Sequence, residues 1–108
     1  DKALSIAAKI ADGIDLRGIL AVEMFVTDDG DVLVNELAPR PHNSGHWSLD
    51  ASATSQFEQH IRAVCGLPLG DPSPLCVSEM LNLIGDDVLQ WQEHLKDPNA
   101  KLHLYGKK

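Results

Sequence analysis

Glu23 and Glu36 stand in two apolar runs, "AVEMFV" and "VLVNELA", and the second leads straight into Pro39-Arg40-Pro41-His42-Asn43-Ser44-Gly45-His46. Carboxylates, a guanidinium, imidazoles and small polar groups this close in sequence are the materials of a site that holds a cation and an anion together. Paired carboxylates are hard oxygen ligands, which suit Mg²⁺, Mn²⁺ or Ca²⁺ better than zinc. Arg40 carries a planar donor fork suited to phosphate or carboxylate. His42, Asn43, Ser44 and His46 add donors, and Gly45 permits close backbone approach. Pro39 and Pro41 stiffen the path. The run reads as a cradle for a phosphate or sugar-phosphate, and either imidazole can move a proton near neutral pH. His42 and His46 also have the spacing of half a zinc site, but no cysteine pair accompanies them. The plainer reading is a polar surface loop.

A hairpin must position the two glutamates. Asp29–Gly30 reads as a two-residue turn between strands over 18–27 and 31–38. In that register Asp28 pairs with Asp31, and Glu23 lies directly opposite Glu36 with Cβ atoms roughly 4.5–5.5 Å apart. Ala21, Phe25, Val34 and Ala38 share their face. Like charges so placed repel, and a proton on one or a cation between them relieves the repulsion. Mg²⁺ takes one or two protein carboxylates and completes its shell with water and nucleotide phosphates, so facing glutamates make a metal–phosphate platform. The competing reading puts both residues on a solvated face, or lets a bulge move them out of register.

The flanking elements follow from periodicity. Residues 1–13 repeat their apolar positions at helical spacing and stop at Gly13. Residues 39–54 lack periodicity and read as a loop. A second helix spans about 55–65, with Ser55 and Glu58 in a capping-box pattern and Gly66 and Pro68 at its end. "LPLGDPSP" reads as a linker. Residues 75–84 read as a strand, 87–96 as a helix with Val88, Trp91 and Leu95 on one face, and "KLHLYGKK" as the start of a last strand. Trp91 is expected in the core, His60 on the exposed or half-buried side of the second helix, and His94, His103 and Lys107–Lys108 at the surface. Cys65 reads as a small apolar residue in a last helical turn.

Composition narrows the function classes. The chain has 108 residues and a net charge of -7, from 16 acidic and 9 basic residues. That size allows one small domain's worth of core. The acidic balance argues against a nucleic-acid polymer as partner. No apolar run approaches a membrane span. Cys65 and Cys76 form no motif, which favours a reducing, cytoplasmic setting. The opening on Asp1 and the strand running to the last residues suggest a piece of a longer polypeptide.

The tracts "VEMFVTDDGDVLVNELAPRPHNSGHW", "SQFEQHIRAVCGLPLG" and "MLNLIG" resemble the N5-carboxyaminoimidazole ribonucleotide synthetases, the ATPase subunit of phosphoribosylaminoimidazole carboxylase, in the ATP-grasp superfamily. The related formate-dependent glycinamide ribonucleotide transformylases share Pro-Arg-Pro-His but continue Asp-Thr-Gly, where this chain has Asn43-Ser44-Gly45-His46. The resemblance implies an α+β fold: the C-terminal half of an ATP-grasp domain, an antiparallel hairpin sheet with packed helices, over 1–70. A linker and part of a small C-terminal β domain would follow over 71–108. It implies a ligase of purine biosynthesis that uses ATP and Mg²⁺, with Mn²⁺ as a substitute, to join bicarbonate to 5-aminoimidazole ribonucleotide, in a cytoplasmic homodimer. Glu23 and Glu36 match the metal-binding glutamates, and Asn35 with Glu36 the nucleotide-contact dipeptide. Arg40, His42, Asn43 and Ser44 fall in the substrate-binding loop, and Arg40, His42 and His46 are the catalytic candidates. The family's amino-terminal nucleotide fold, adenine lid and later basic segment have no match in these residues, so weak or no ATP binding and no turnover are expected from them alone. A non-catalytic module that kept the fold is the alternative, and it would not need two facing glutamates.

Overall fold

The computed structural model describes residues 2–106. These form two compact units, one ending at Ser78 and the other beginning at Glu79. In the first unit, α1 (Lys2–Gly13) is an amphipathic helix, and residues 14–20 carry the chain to β1 (Ala21–Val26). An antiparallel hairpin joins β1 to β2 (Val32–Ala38). Then come a 3-10 turn at Asn43–Gly45, the short helix α2 (Ser48–Ala51) and α3 (Gln56–Val64). Residues 39–54, read as a loop, are therefore a folded connection that includes two short helical turns.

The hairpin turn has three residues, not two. Gly30 N–H donates to Thr27 O at 2.9 Å, Thr27 N–H donates to Asp31 O at 2.9 Å, and Gly30 takes φ +80°. This is a turn that closes through a left-handed residue, the conformation glycine adopts without penalty. The ladder from Val26↔Val32 to Met24↔Val34 is consequently displaced by one residue from the two-residue register. A bulge in β2 between Val34 and Glu36 displaces it back, so that Glu23 pairs with Glu36 and Ala21 with Ala38. The expected opposition of the glutamates holds, through a longer turn and a bulge that offset each other. One neighbour changes: Phe25 pairs with Leu33, while Val34 pairs with Met24 on the other face of the sheet.

Apolar burial is sparse. Ala38 and Ala51, each 4% exposed, are the buried apolar residues among those described, with Ser48, Ser52 and Thr54 as buried polar neighbours. Phe25 and Leu33 are 61% and 53% exposed, which leaves the sheet open on the glutamate face. Polar ties do much of the joining instead. Ser52 Oγ donates to Pro72 O at 3.0 Å, Ala53 N–H to Ser73 O at 3.0 Å, and Leu75 N–H to Ala51 O at 2.8 Å. At the head of α3, Ser55 Oγ accepts from Glu58 N–H at 3.3 Å; Glu58 turns its own carboxylate to Arg62 rather than back to the cap.

The second unit contains a 3-10 segment, Gly85–Gln90, running into α4 (Trp91–His94). The helix read over 87–96 is thus split between two helical types. No strand forms over 75–84 or 101–106. Apolar alternation makes a strand only where a neighbouring ladder satisfies its backbone, and beyond the single Leu75–Ala51 bond these segments join no ladder among the described residues. Trp91 is 39% exposed, so it is not a core residue here. Cys65 and Cys76 are exposed, His60 is half-buried as read, and Lys107–Lys108 lie outside the described residues.

Candidate functional site

The bulge and the loop that follows β2 build the site. Asn35 is the extra residue of the bulge, and a bulged residue is turned out of its normal alternation. Its carboxamide Nδ2 donates to Glu23 Oε2 at 3.4 Å, which brings it to the glutamate face. After Ala38 the chain turns: Arg40 N–H donates to Ala38 O at 2.8 Å. His42 then caps the 3-10 turn, and its imidazole returns towards the strands, with Nε2 3.3 Å from Glu23 Oε1. Ligand atoms of Glu23, Glu36 and His42 all lie within 4.8 Å of one another.

Both ring nitrogens of His42 have neighbours. Ser44 N–H can only donate, and it does so to His42 Nδ1 at 3.4 Å, with Ser44 Oγ 2.9 Å from the same nitrogen. Nδ1 thus faces Ser44, while Nε2 faces Glu23 Oε1 in an ion-pair contact. His42 is set against one carboxylate, and Glu23 and Glu36 offer the hard oxygen ligands. The donor set that remains is carboxylate oxygen, half exposed, with room for water. That is the chemistry of Mg²⁺ or Mn²⁺, and the residues present fit such an ion.

The other loop residues take separate positions. Arg40 is exposed and its Nη1 donates to Pro41 O at 3.1 Å. Asn43 and Ser44 lie exposed on the 3-10 turn, beside His42. His46 turns away from the glutamates to stack on Phe57 of α3, with ring centroids 5.5 Å apart and planes at 20°. Glu23, Asn35, Glu36, His42 and Ser44 are therefore brought together by contact, whereas Arg40 and His46 flank them. Asp71, held below the usual carboxylate range by hydrogen bonds from Ser73, is not among these residues.

Two residues of this neighbourhood were not singled out by sequence. Gln56, at the start of α3, pairs with both backbone groups of His42: His42 N–H donates to Gln56 Oε1 at 3.0 Å, and Gln56 Nε2 donates to His42 O at 2.8 Å. Ser48 Oγ accepts from Gln56 N–H at 2.9 Å and donates to Gly45 O. The signal available in sequence was only a glutamine next to a helix cap. Beside them an apolar cavity of about 300 Å³ is lined by Ile19, Trp47, Thr54, Ala63 and Leu69 among others, and it includes neither glutamate nor His42.

Comparison with known proteins gives this geometry a lineage. Residues 1–57, just over half of the chain, match the ATP-grasp domain, and residues 78–108 match the phosphoribosylaminoimidazole carboxylase C-terminal domain. The N5-carboxyaminoimidazole ribonucleotide synthase of Bacillus subtilis is 60% identical over 98% of this chain, which spans 28% of that protein. The crystal structure of the Staphylococcus aureus N5-carboxyaminoimidazole synthetase with ADP superposes with a TM-score of 0.88 at 41% identity, covering 99% of this chain and 30% of that one. The Aspergillus clavatus N5-carboxyaminoimidazole synthase, in complex with ADP and 5-aminoimidazole ribonucleotide, gives 0.82 at 40% identity over 97% and 30%. The chain thus spans less than a third of the length of these relatives. With its facing glutamates carried on a hairpin inside the matched domain, the chain belongs to the ATP-grasp family, and its relatives there are N5-carboxyaminoimidazole ribonucleotide synthases.

Proposed function

We propose that this chain supplies the metal-and-phosphate side of an ATP-dependent ligase that joins bicarbonate to 5-aminoimidazole ribonucleotide in purine biosynthesis. Residues 1–70 act as the C-terminal part of the ATP-grasp domain and 71–108 as a linker and part of a small C-terminal domain. The observation that carries the proposal is the convergence of ligand atoms of Glu23 and Glu36, on a bulged hairpin, and of His42, in the loop after it, within 4.8 Å, in a chain whose relatives include one bound to ADP and the ribonucleotide.

Glu23 and Glu36 would hold a divalent cation, Mg²⁺ or Mn²⁺, with Asn35 donating to Glu23 and the His42 imidazole set against it to fix its direction. When bound, the cation neutralises phosphate charge as it develops during phosphoryl transfer. Asn35 and Glu36 border the nucleotide. Arg40, His42, Asn43 and Ser44 face the reacting end. There the Arg40 fork receives the anionic carboxy group, and the small polar side chains orient the ribonucleotide. Among the catalytic candidates, Arg40 and His42 stand nearest the carboxylates in the chain path. His46, stacked on Phe57, is held at the loop's far end, where its imidazole can exchange a proton. The complete protein works as a cytoplasmic homodimer.

In the complete enzyme carrying this sequence, ATP consumption is expected only when the ribonucleotide and bicarbonate are both present. Arg40→Ala should then lower kcat/KM by about 10²-fold, the usual size of the loss of one charge-stabilising donor. ATP consumption that ignores the ribonucleotide would overturn the reading.

A further inference from the structure

We propose that Gln56 is a positioning residue of this site: its amide, paired with both backbone groups of His42, holds the loop so that the imidazole meets Glu23. This inference rests on the reading of Glu23 and Glu36 as metal ligands and extends it to a residue with no contact to the cation.

The pairing resembles one rung of a β-ladder made by a side chain. His42 N–H and C=O, which no strand satisfies, are both answered by the same carboxamide at 3.0 and 2.8 Å. His42 O also accepts from Gly45 N–H at 2.9 Å, so the turn and the clamp converge on one peptide. Gln56 is itself held at its backbone, where Ser48 Oγ takes its N–H. Gly45 leaves the room: a Cβ there would stand 2.5 Å from Gln56 Oε1. A side chain at position 45 would push the Gln56 amide out of the clamp.

The same helix supplies an internal control. Three residues on, Gln59 makes the same kind of pair with Gly70, donating to its O at 2.7 Å and accepting from its N–H at 2.8 Å. That second clamp ties down the connection after α3, which carries none of the site residues. His60 Nδ1 accepts Ile19 N–H at 3.2 Å on the approach to β1. So α3 secures three connections, the His42 loop, the approach to β1 and the segment held by Gln59, and the last of these carries none of the site residues.

The test compares Gln56→Leu, Gln56→Glu and Gln59→Leu in the complete enzyme. The readouts are the Mg²⁺ concentration for half-maximal activity, the unfolding midpoint, and hydrogen exchange of a peptide spanning residues 39–47. Gln56→Leu is expected to raise the Mg²⁺ requirement about 10–100-fold, the usual cost of losing a group that orients a metal ligand, and to speed exchange in 39–47. Gln56→Glu keeps an acceptor for His42 N–H but sets a second acceptor against its carbonyl, so it should fall between wild type and Gln56→Leu. Gln59→Leu should lower the unfolding midpoint comparably and leave the Mg²⁺ requirement and the 39–47 exchange unchanged. Equal Mg²⁺ shifts in Gln56→Leu and Gln59→Leu, or a wild-type requirement in Gln56→Leu, would overturn the proposal. A wild-type enzyme with no Mg²⁺ dependence would instead remove the metal reading. The exchange data would still decide the clamp, because unchanged exchange in Gln56→Leu refutes it on its own.

Discussion

Four polar residues at the site answer to one another: Glu23, Asn35, His42 and Ser44. Glu23 is approached by Asn35 at 3.4 Å and by His42 at 3.3 Å, and His42 is oriented in turn by Ser44. Such chains matter because a carboxylate that can rotate freely spends part of its time out of reach of the ion it serves. Replacing Asn35 by Ala should therefore raise the Mg²⁺ requirement of the complete enzyme by about tenfold, with little change in folding, as read by metal titration and thermal unfolding together. Residue types and spacing exposed most of this group in advance, since Glu23, Glu36 and the Arg40–His46 run are chemically conspicuous. Gln56 was not legible, because its role lies in matching a backbone peptide fourteen positions away, and nothing in a glutamine's neighbours in sequence announces that.

At the scale of elements, the hairpin shows why a correct pairing can come from an incorrect turn. Asp-Gly suits a two-residue turn, but glycine also suits the left-handed closing position of a three-residue turn, and that is where Gly30 sits. The bulge at Asn35 carries no local composition signal; it is visible only once two strands are laid side by side. A prediction follows for the turn. Nothing lies within 4 Å of a Cβ built on Gly30, so Gly30→Ala should cost about 1 kcal/mol through backbone conformation alone, and Gly30→Asn should cost less, by urea unfolding. For α3, whose start was read from Ser55, Ser55→Ala should cost about 1 kcal/mol through the lost cap to Glu58 N–H. Among the described residues, the strands read after residue 74 did not form because apolar alternation reports only half of what a strand needs. The other half is a partner ladder.

For the whole molecule, the balance of surface and core is the governing fact. Ala38 and Ala51 are small, while Phe25, Val26, Leu33, Val34 and Leu37 of the hairpin are all exposed. An apolar expanse of this kind drives association. These 108 residues made alone should therefore bind an apolar dye and sediment as a concentration-dependent mixture, and they should hydrolyse no ATP. The chain spans 28% of its Bacillus subtilis relative, so the site has to be judged in the complete protein. There the central claim, that Glu23 and Glu36 hold a divalent cation against nucleotide phosphate, meets its most direct test in a titration of Mg²⁺ and nucleotide into wild type and Glu36→Gln. The expected result is a nucleotide affinity that depends on Mg²⁺ in the wild type and is weakened about 10–100-fold in Glu36→Gln; equal affinities in the two proteins would contradict it.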